Sequence, residues 1–205
     1  MLRNKLLVLA ASGLILAGCS APASKPVSYE DVNSSGMVAG VGVESQDITS
    51  VTDVMVRDIL ATPEIIKRDK PARVIIDEAY FQNESSQRIS KNLLVDRLRV
   101  NLQRASKGKL LFVSRESAGM VEQERDMKRQ GKTDSGTVGL ANTLAGADYR
   151  LTGRINSLDS RSTSNGAVAR YTQITFELID LESSMSVWSN FYEFKKAGQD
   201  DAVYR

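Results

Sequence analysis

Apolar residues fall along this chain in three regimes: one continuous run near the start, stripes at helical spacing, and alternation in the last third. Ile48, Val51, Val54, Met55, Ile59 and Leu60 recur every three or four residues and predict a helix that stops before Pro63. Arg73-Val-Ile-Ile-Asp77 is a short β-prone run, predicted to extend to Phe81 and to be followed by a polar turn over residues 82–86. A second helix is expected over residues 87–105, with Ile89, Leu93, Leu94, Leu98, Leu102 and Ala105 on its apolar side and Gly108 beyond its end. Residues 109–113 predict a second strand. Ser114 is then expected to cap a charged helix running to Arg129, and residues 130–136 form a polar loop. The small side chains of residues 138–145 predict one more helix, closed by Gly146.

The last third changes period. Tyr149, Leu151, Gly153 and Ile155 alternate with Arg150, Thr152, Arg154 and Asn156. Ile174, Phe176 and Leu178 alternate with Gln173, Thr175 and Glu177, and Asn165-Gly166 between the two runs is a hairpin signal. Residues 187–194 form the final strand, whose Trp188 and Tyr192 share a face and are expected to fill core. The order α-β-α-β-α-α-β-β-β predicts an α/β fold of the layered α+β kind. It should hold a mixed, largely antiparallel sheet of about five strands, with helices packed on its faces.

The continuous run has a different meaning. Met1–Lys5 is basic, and Leu6–Leu16 is apolar but too short to span a bilayer stably. Leu16-Ala17-Gly18 then leads to Cys19, the single cysteine of 205 residues. This is the pattern of a bacterial lipoprotein signal, in which Cys19 becomes the lipid anchor after cleavage before it. Several acyl chains, at roughly 0.8 kcal/mol per buried methylene, make a durable anchor. Ser20 stands where an Asp would argue for retention at the inner membrane, so the outer membrane is expected. The boundaries are residues 1–18 for the signal peptide, 19–46 for a lipidated flexible tether, 47–196 for a globular domain and 197–205 for a polar tail. The tether reaches roughly 25–30 Å as a flexible coil, and about 85 Å fully stretched.

Composition narrows the chemistry. Of 27 Lys and Arg, Arg3 and Lys5 lie in the signal segment, which holds no acid; the remaining 25 balance 25 Asp and Glu. The net charge of +2 therefore gives no ground for nucleic-acid binding. With Cys19 used for lipid no thiol is left for disulfides or zinc. The absence of histidine removes the commonest general base and metal ligand, along with every Ser-His triad.

Short motifs add little. Gly131-Lys132-Thr133 resembles the end of a phosphate loop, but Asp126 stands where the earlier glycine is required and no strand leads into it. Asn83-Glu84-Ser85 matches a glycosylation sequon that carries no weight in a bacterial lipoprotein. Asp77 and Glu78 should point to opposite sides of a strand. Glu122, Glu124 and Asp126 interleave with Arg125, Lys128 and Arg129, as on a solvated helix face. The second helix, with Arg88, Lys91, Arg97, Arg99, Arg104 and Lys107 against Asp96, is the surface of interest. As a solvated face it is unremarkable; as a docking surface, Arg97, Arg99 and Arg104 are the candidate partner-binding residues.

Phe81–Ser85, Phe112–Glu116, Gly146–Ile155, Thr172–Glu182 and Val187-Trp188-Ser189 together resemble the LpoB family of penicillin-binding-protein activator lipoproteins. The resemblance runs in the same order over roughly residues 47–196. The Gly146-Ala147-Asp148-Tyr149 and Leu178–Glu182 blocks are specific together and weak alone. In looser form they occur in lipoproteins related to CsgG and PelC, which build export pores. The resemblance implies a domain like the N-terminal domain of TolB and a non-enzymatic role. It implies a class A penicillin-binding protein as partner and a lipid anchor at the periplasmic face of the outer membrane. No catalytic residue, cofactor, metal, nucleic acid or small-molecule substrate is expected. The alternative is an oligomeric scaffold of an envelope export machine. The tether here is shorter than the long Pro-rich linker of the best-known members. The family's partner-binding residues follow no motif, so none is carried over.

Overall fold

The first apolar stripe is realised as helix α1, Ser45–Ala61, which buries Ile48, Val51, Met55, Val56 and Ile59. It starts two residues before the expected domain boundary because a reciprocal capping box closes its first turn. The Glu44 side chain accepts from the N3 backbone, and the Glu44 N–H donates to Asp47 Oδ2 at 2.8 Å. Pro63 ends α1 as expected and also opens a short helix, α2 (Pro63–Ile66), occupying the first turn where a missing N–H costs nothing. The computed structural model describes residues 27–36, 40–134, 143–200 and 202–203. Cys19 and most of the expected 138–145 helix lie outside them; residues 143–145 are not helical.

Strand β1 runs from Ala72 to Glu84, so the expected turn at 82–86 is instead mostly strand. Its continuation depends on a bulge. Ile76 pairs with Leu151 and Phe81 with Gly153, which leaves four residues of β1 (77–80) opposite Thr152 alone. The bulge drives Phe81 into the core, where it is 1% exposed and meets the Phe176 ring edge-on at 5.9 Å and 64°. Gly153 makes the space: a Cβ there would stand 2.5 Å from the Phe81 ring. The glycine of the expected alternation is thus a packing requirement.

Helix α3 spans Lys91–Ala105 and begins later than expected, because the Ser90 hydroxyl accepts from the Leu93 N–H and fixes the start. β2, Leu110–Phe112, pairs parallel to β1. α4, Ala118–Arg129, is preceded by Ser117 rather than by the expected cap Ser114, whose hydroxyl donates to Ser117 Oγ at 2.9 Å. α4 buries none of its residues, and its Lys128–Glu124 pair at 3.6 Å is the expected i,i+4 contact of a solvated face.

The last third is the alternating meander the sequence predicts: β3 (Tyr149–Arg161), β4 (Val168–Asp180) and β5 (Ser186–Gly198), paired antiparallel. Gly166 takes the left-handed conformation in the β3–β4 turn, with φ of 72°. The sheet order is β2-β1-β3-β4-β5, parallel on the β1 side and antiparallel beyond β3. α1 and α3 pack over one face, enclosing Val74, Ile76, Phe81, Leu151, Ile155, Ile174, Phe176 and Leu178. Trp188 and Tyr192 pack against this core as expected, half-buried. These elements all belong to the unit Asp31–Arg205; in the other unit, Met1–Glu30, the described residues 27–30 are exposed and irregular.

Two carboxylates make the meander pH-sensitive. Arg170 grips Asp159 in a fork, Nε to Oδ1 at 2.7 Å and Nη2 to Oδ2 at 2.9 Å, and Ser86 Oγ donates to the same carboxylate at 2.7 Å. The Arg170 bond holds the Asp159 carboxyl below its usual range, against a smaller upward push from burial. The backbone N–H groups of Ser183 and Glu182 and the Ser183 hydroxyl hold Asp180 down likewise. A carboxyl depressed by folding stabilises the fold at pH above its unfolded value, and this contribution is lost as pH falls through the folded value. The urea midpoint should therefore be flat above about pH 5 and decline below about pH 4. Asp159→Asn should flatten part of that decline; an unchanged acid limb would refute the assignment.

Candidate docking surface on the helical face

On α3, Leu94, Val95, Leu98 and Leu102 are buried against the core. At about 100° per residue these four define one face of the helix. The opposite stripe is Leu93, Arg97, Val100 and Arg104, spaced i, i+4, i+7, i+11. Leu93 is 56% exposed and Val100 48% exposed, so two exposed aliphatic side chains alternate with a half-buried Arg97 and an exposed Arg104. The expectation that Leu93 faces the core is corrected: adjacent helical positions diverge by ~100°, and Val95, not Leu93, completes the buried face. Ala105 is likewise exposed.

The three arginines singled out in the sequence do not converge. Arg97 and Arg104 lie on the outer stripe. Arg99 lies on the flank of the helix, where Nη2 donates to Asp96 Oδ1 at 2.6 Å, so its charge is locally matched. Arg104 joins Asp53, Val56 and Arg57 of α1 and Asn101 and Ala105 of α3 around a shallow hollow of about 470 Å³. Arg97 keeps a buried Nε that has no hydrogen-bond partner among the described residues. As a last-turn cation Arg104 also complements the helix dipole, worth about 0.3–1 kcal/mol. That structural role accounts for one arginine. It does not account for the pairing of both with exposed Leu93 and Val100.

Sequence reasoning missed Leu93 and Val100 as surface residues. Once the buried face is set by Leu94, Val95, Leu98 and Leu102, Leu93 and Val100 fall seven residues apart on the far side. An arginine set among exposed apolar side chains is the composition of a protein-binding hot spot, in which the apolar groups exclude water around the charge.

The outer side of α3 thus sets exposed Leu93 and Val100 among arginines, on a layered α/β domain. The chain matches the family model of the peptidoglycan-synthase activator LpoB over residues 47–194 and belongs to that family, a regulatory family rather than a catalytic one. The LpoB C-terminal domain from Salmonella enterica is 20% identical, over 75% of this chain and 99% of that one, with a TM-score of 0.43. The NMR structure of E. coli LpoB is 17% identical over 85% and 79% of the two chains, with a TM-score of 0.40. A PelC dodecamer from Paraburkholderia phytofirmans is 15% identical over 65% and 75%, with a TM-score of 0.31. Among curated proteins none matches.

Proposed function

We propose that this protein is an outer-membrane lipoprotein, anchored through Cys19 at the periplasmic face, that binds and activates a bifunctional class A penicillin-binding protein. The family match over residues 47–194 carries this reading. The sequence around Cys19 supports the anchor. The stripe of Leu93, Arg97, Val100 and Arg104 supplies a surface for an acidic partner with an apolar centre. Activation would act through binding alone: contacts made to the active form of the synthase shift its population toward that form.

The test mixes the full-length protein in detergent with each bifunctional synthase of its own cell and follows glycan polymerisation and peptide crosslinking. At least one synthase should speed up in both reactions. Unchanged rates with every synthase would overturn the reading. In cells, Cys19→Ser should move the protein from the membrane fraction to the soluble periplasm; retention in the membrane would remove the anchor from the proposal.

A further inference from the structure

We infer that the open face of the sheet is a binding platform for a strand of N-acetylated amino sugars, separate from the helical docking stripe. This goes beyond the proposed activation, since the two surfaces lie on opposite sides of the sheet.

The strand register assembles the platform. On the face away from α1 and α3, Thr152 stands opposite Glu177, Arg154 opposite Thr175 and Asn156 opposite Gln173. Gln82 of β1 extends the middle row, and Arg154 Nε donates to its Oε1 at 3.1 Å. From Thr152 to Asn156 the grid runs roughly 13 Å along the strand. Ala79 and Tyr80 of the β1 bulge line one side, and the half-open cleft measures about 680 Å³. That lies within the usual ~300–1,000 Å³ of small-ligand sites.

Two aromatic rings flank this grid. Tyr80, 48% exposed, stands at the β1 side with the Arg150 guanidinium 3.8 Å from its ring centroid, which fixes the ring while half of the residue stays open. Phe191 is register partner of Thr175, so it shares the open face, and it is 51% exposed. Three strand spacings, roughly 14 Å, separate β1 from β5. Two rings at that spacing, with hydrogen-bonding groups between them, match a chain of pyranose rings: the C–H faces stack on the aromatics while hydroxyl and acetamido groups meet the grid.

The polar groups fit an uncharged, amide-bearing ligand. Asn156 offers a carbonyl acceptor and an amino donor, the complement of an acetamido group; Gln82 Oε1 already accepts from Arg154 and Gln173 Nε2 donates to the Tyr171 hydroxyl at 3.2 Å, so these two present chiefly the Gln82 amino group and the Gln173 carbonyl. Arg154 and Glu177 cancel in charge, and Arg150, on the same face of β3, is stacked on the Tyr80 ring. The side chains of Asn156, Thr175 and Glu177 are half-buried, yet none bonds another described residue. A protein partner fits less well: interface centres are apolar and continuous, whereas here the apolar surface is two rings set apart by polar groups.

The experiment titrates the full-length protein in detergent with chitotetraose, an N-acetylglucosamine tetramer, and with cellotetraose, which shares the linkage but lacks the acetamido groups. Calorimetry gives the affinities, and co-sedimentation with purified peptidoglycan sacculi gives the polymer. Chitotetraose should bind at least about tenfold tighter than cellotetraose. Tyr80→Ala/Phe191→Ala should weaken chitotetraose and sacculus binding by roughly tenfold or more with unchanged far-UV circular dichroism. If that variant misfolds, Asn156→Ala/Gln173→Ala provides the same reading from the polar grid. Arg97→Glu/Arg104→Glu should bind the sugar as the parent protein does, so loss of synthase docking and loss of sugar binding are separable. Absence of binding to both chitotetraose and sacculi, equal binding of the two tetramers, or undiminished binding by a folded platform variant would overturn the inference.

Discussion

Phe81→Ala is expected to destabilise the domain by about 3–5 kcal/mol, lowering the thermal midpoint by roughly 10 °C or more. The size follows from position. The ring is fully buried, contacts Phe176 edge-on, and fills the volume left by the missing side chain at Gly153. The backbone on both sides of that space is held by the β1–β3 and β3–β4 ladders, which limits its collapse. Gly153→Ala should cost less, about 1–3 kcal/mol, because it overpacks the same contact rather than emptying it. Combining Gly153→Ala with Phe81→Leu should cost less than the sum of the two singles, since the smaller side chain frees space for the new methyl. Urea unfolding checks all three. A loss below about 1 kcal/mol for Phe81→Ala, the size of an average substitution, would show that the bulge is not what fixes β1.

Reversing both arginines, Arg97→Glu/Arg104→Glu, should weaken synthase binding by about 1,000-fold, taking ~2 kcal/mol for each hot-spot arginine before the added repulsion. The effect should shrink as salt rises, because exposed charges are screened beyond about 8 Å at physiological ionic strength. Leu93→Ser/Val100→Ser tests the apolar half of the stripe and should act mainly on dissociation, with little salt sensitivity. Arg99→Gln is the internal control. Its parent side chain is matched to Asp96 on the flank, so affinity should stay within about threefold. Surface plasmon resonance at several salt concentrations separates these outcomes. An Arg97→Glu/Arg104→Glu protein that binds like the parent would reduce the stripe to a solvated face.

The comparison of sequence with structure divides by the range of the interactions involved. The meander was legible because alternation is local: Tyr149, Leu151 and Ile155, then Ile174, Phe176 and Leu178, declare their faces residue by residue. α1 was legible for the same reason, down to its stop at Pro63. The β1 bulge was not. Residues 77–80 look like the end of a strand, and only pairing with β3, some seventy residues later, shows that the strand resumes. On α3, choosing between Leu93 and Val95 for the buried face needed the position of the sheet, which periodicity alone does not supply. The polar platform was hidden for a third reason. Its residues are the unremarkable outward members of three alternating runs, and they become a surface only when the register aligns Thr152 with Glu177, Arg154 with Thr175 and Asn156 with Gln173.

Lys196, near the end of β5, reaches back to the first turn of the fold: its Nζ donates to Asp47 Oδ2 at 2.6 Å and to the Gly42 carbonyl at 3.0 Å, and lies 3.2 Å from Glu44 Oε2. The same two acids form the capping box of α1. A pull on the chain ahead of Gly40 therefore meets this cluster before it meets the α1 helix. The load divides among several short contacts strained together and passes across to the far end of the sequence. Tension from the N-terminal side would be borne as shear between α1 and β5, with the strand ladders behind it still intact. Under such a load the first and last elements of the domain would act together as a latch.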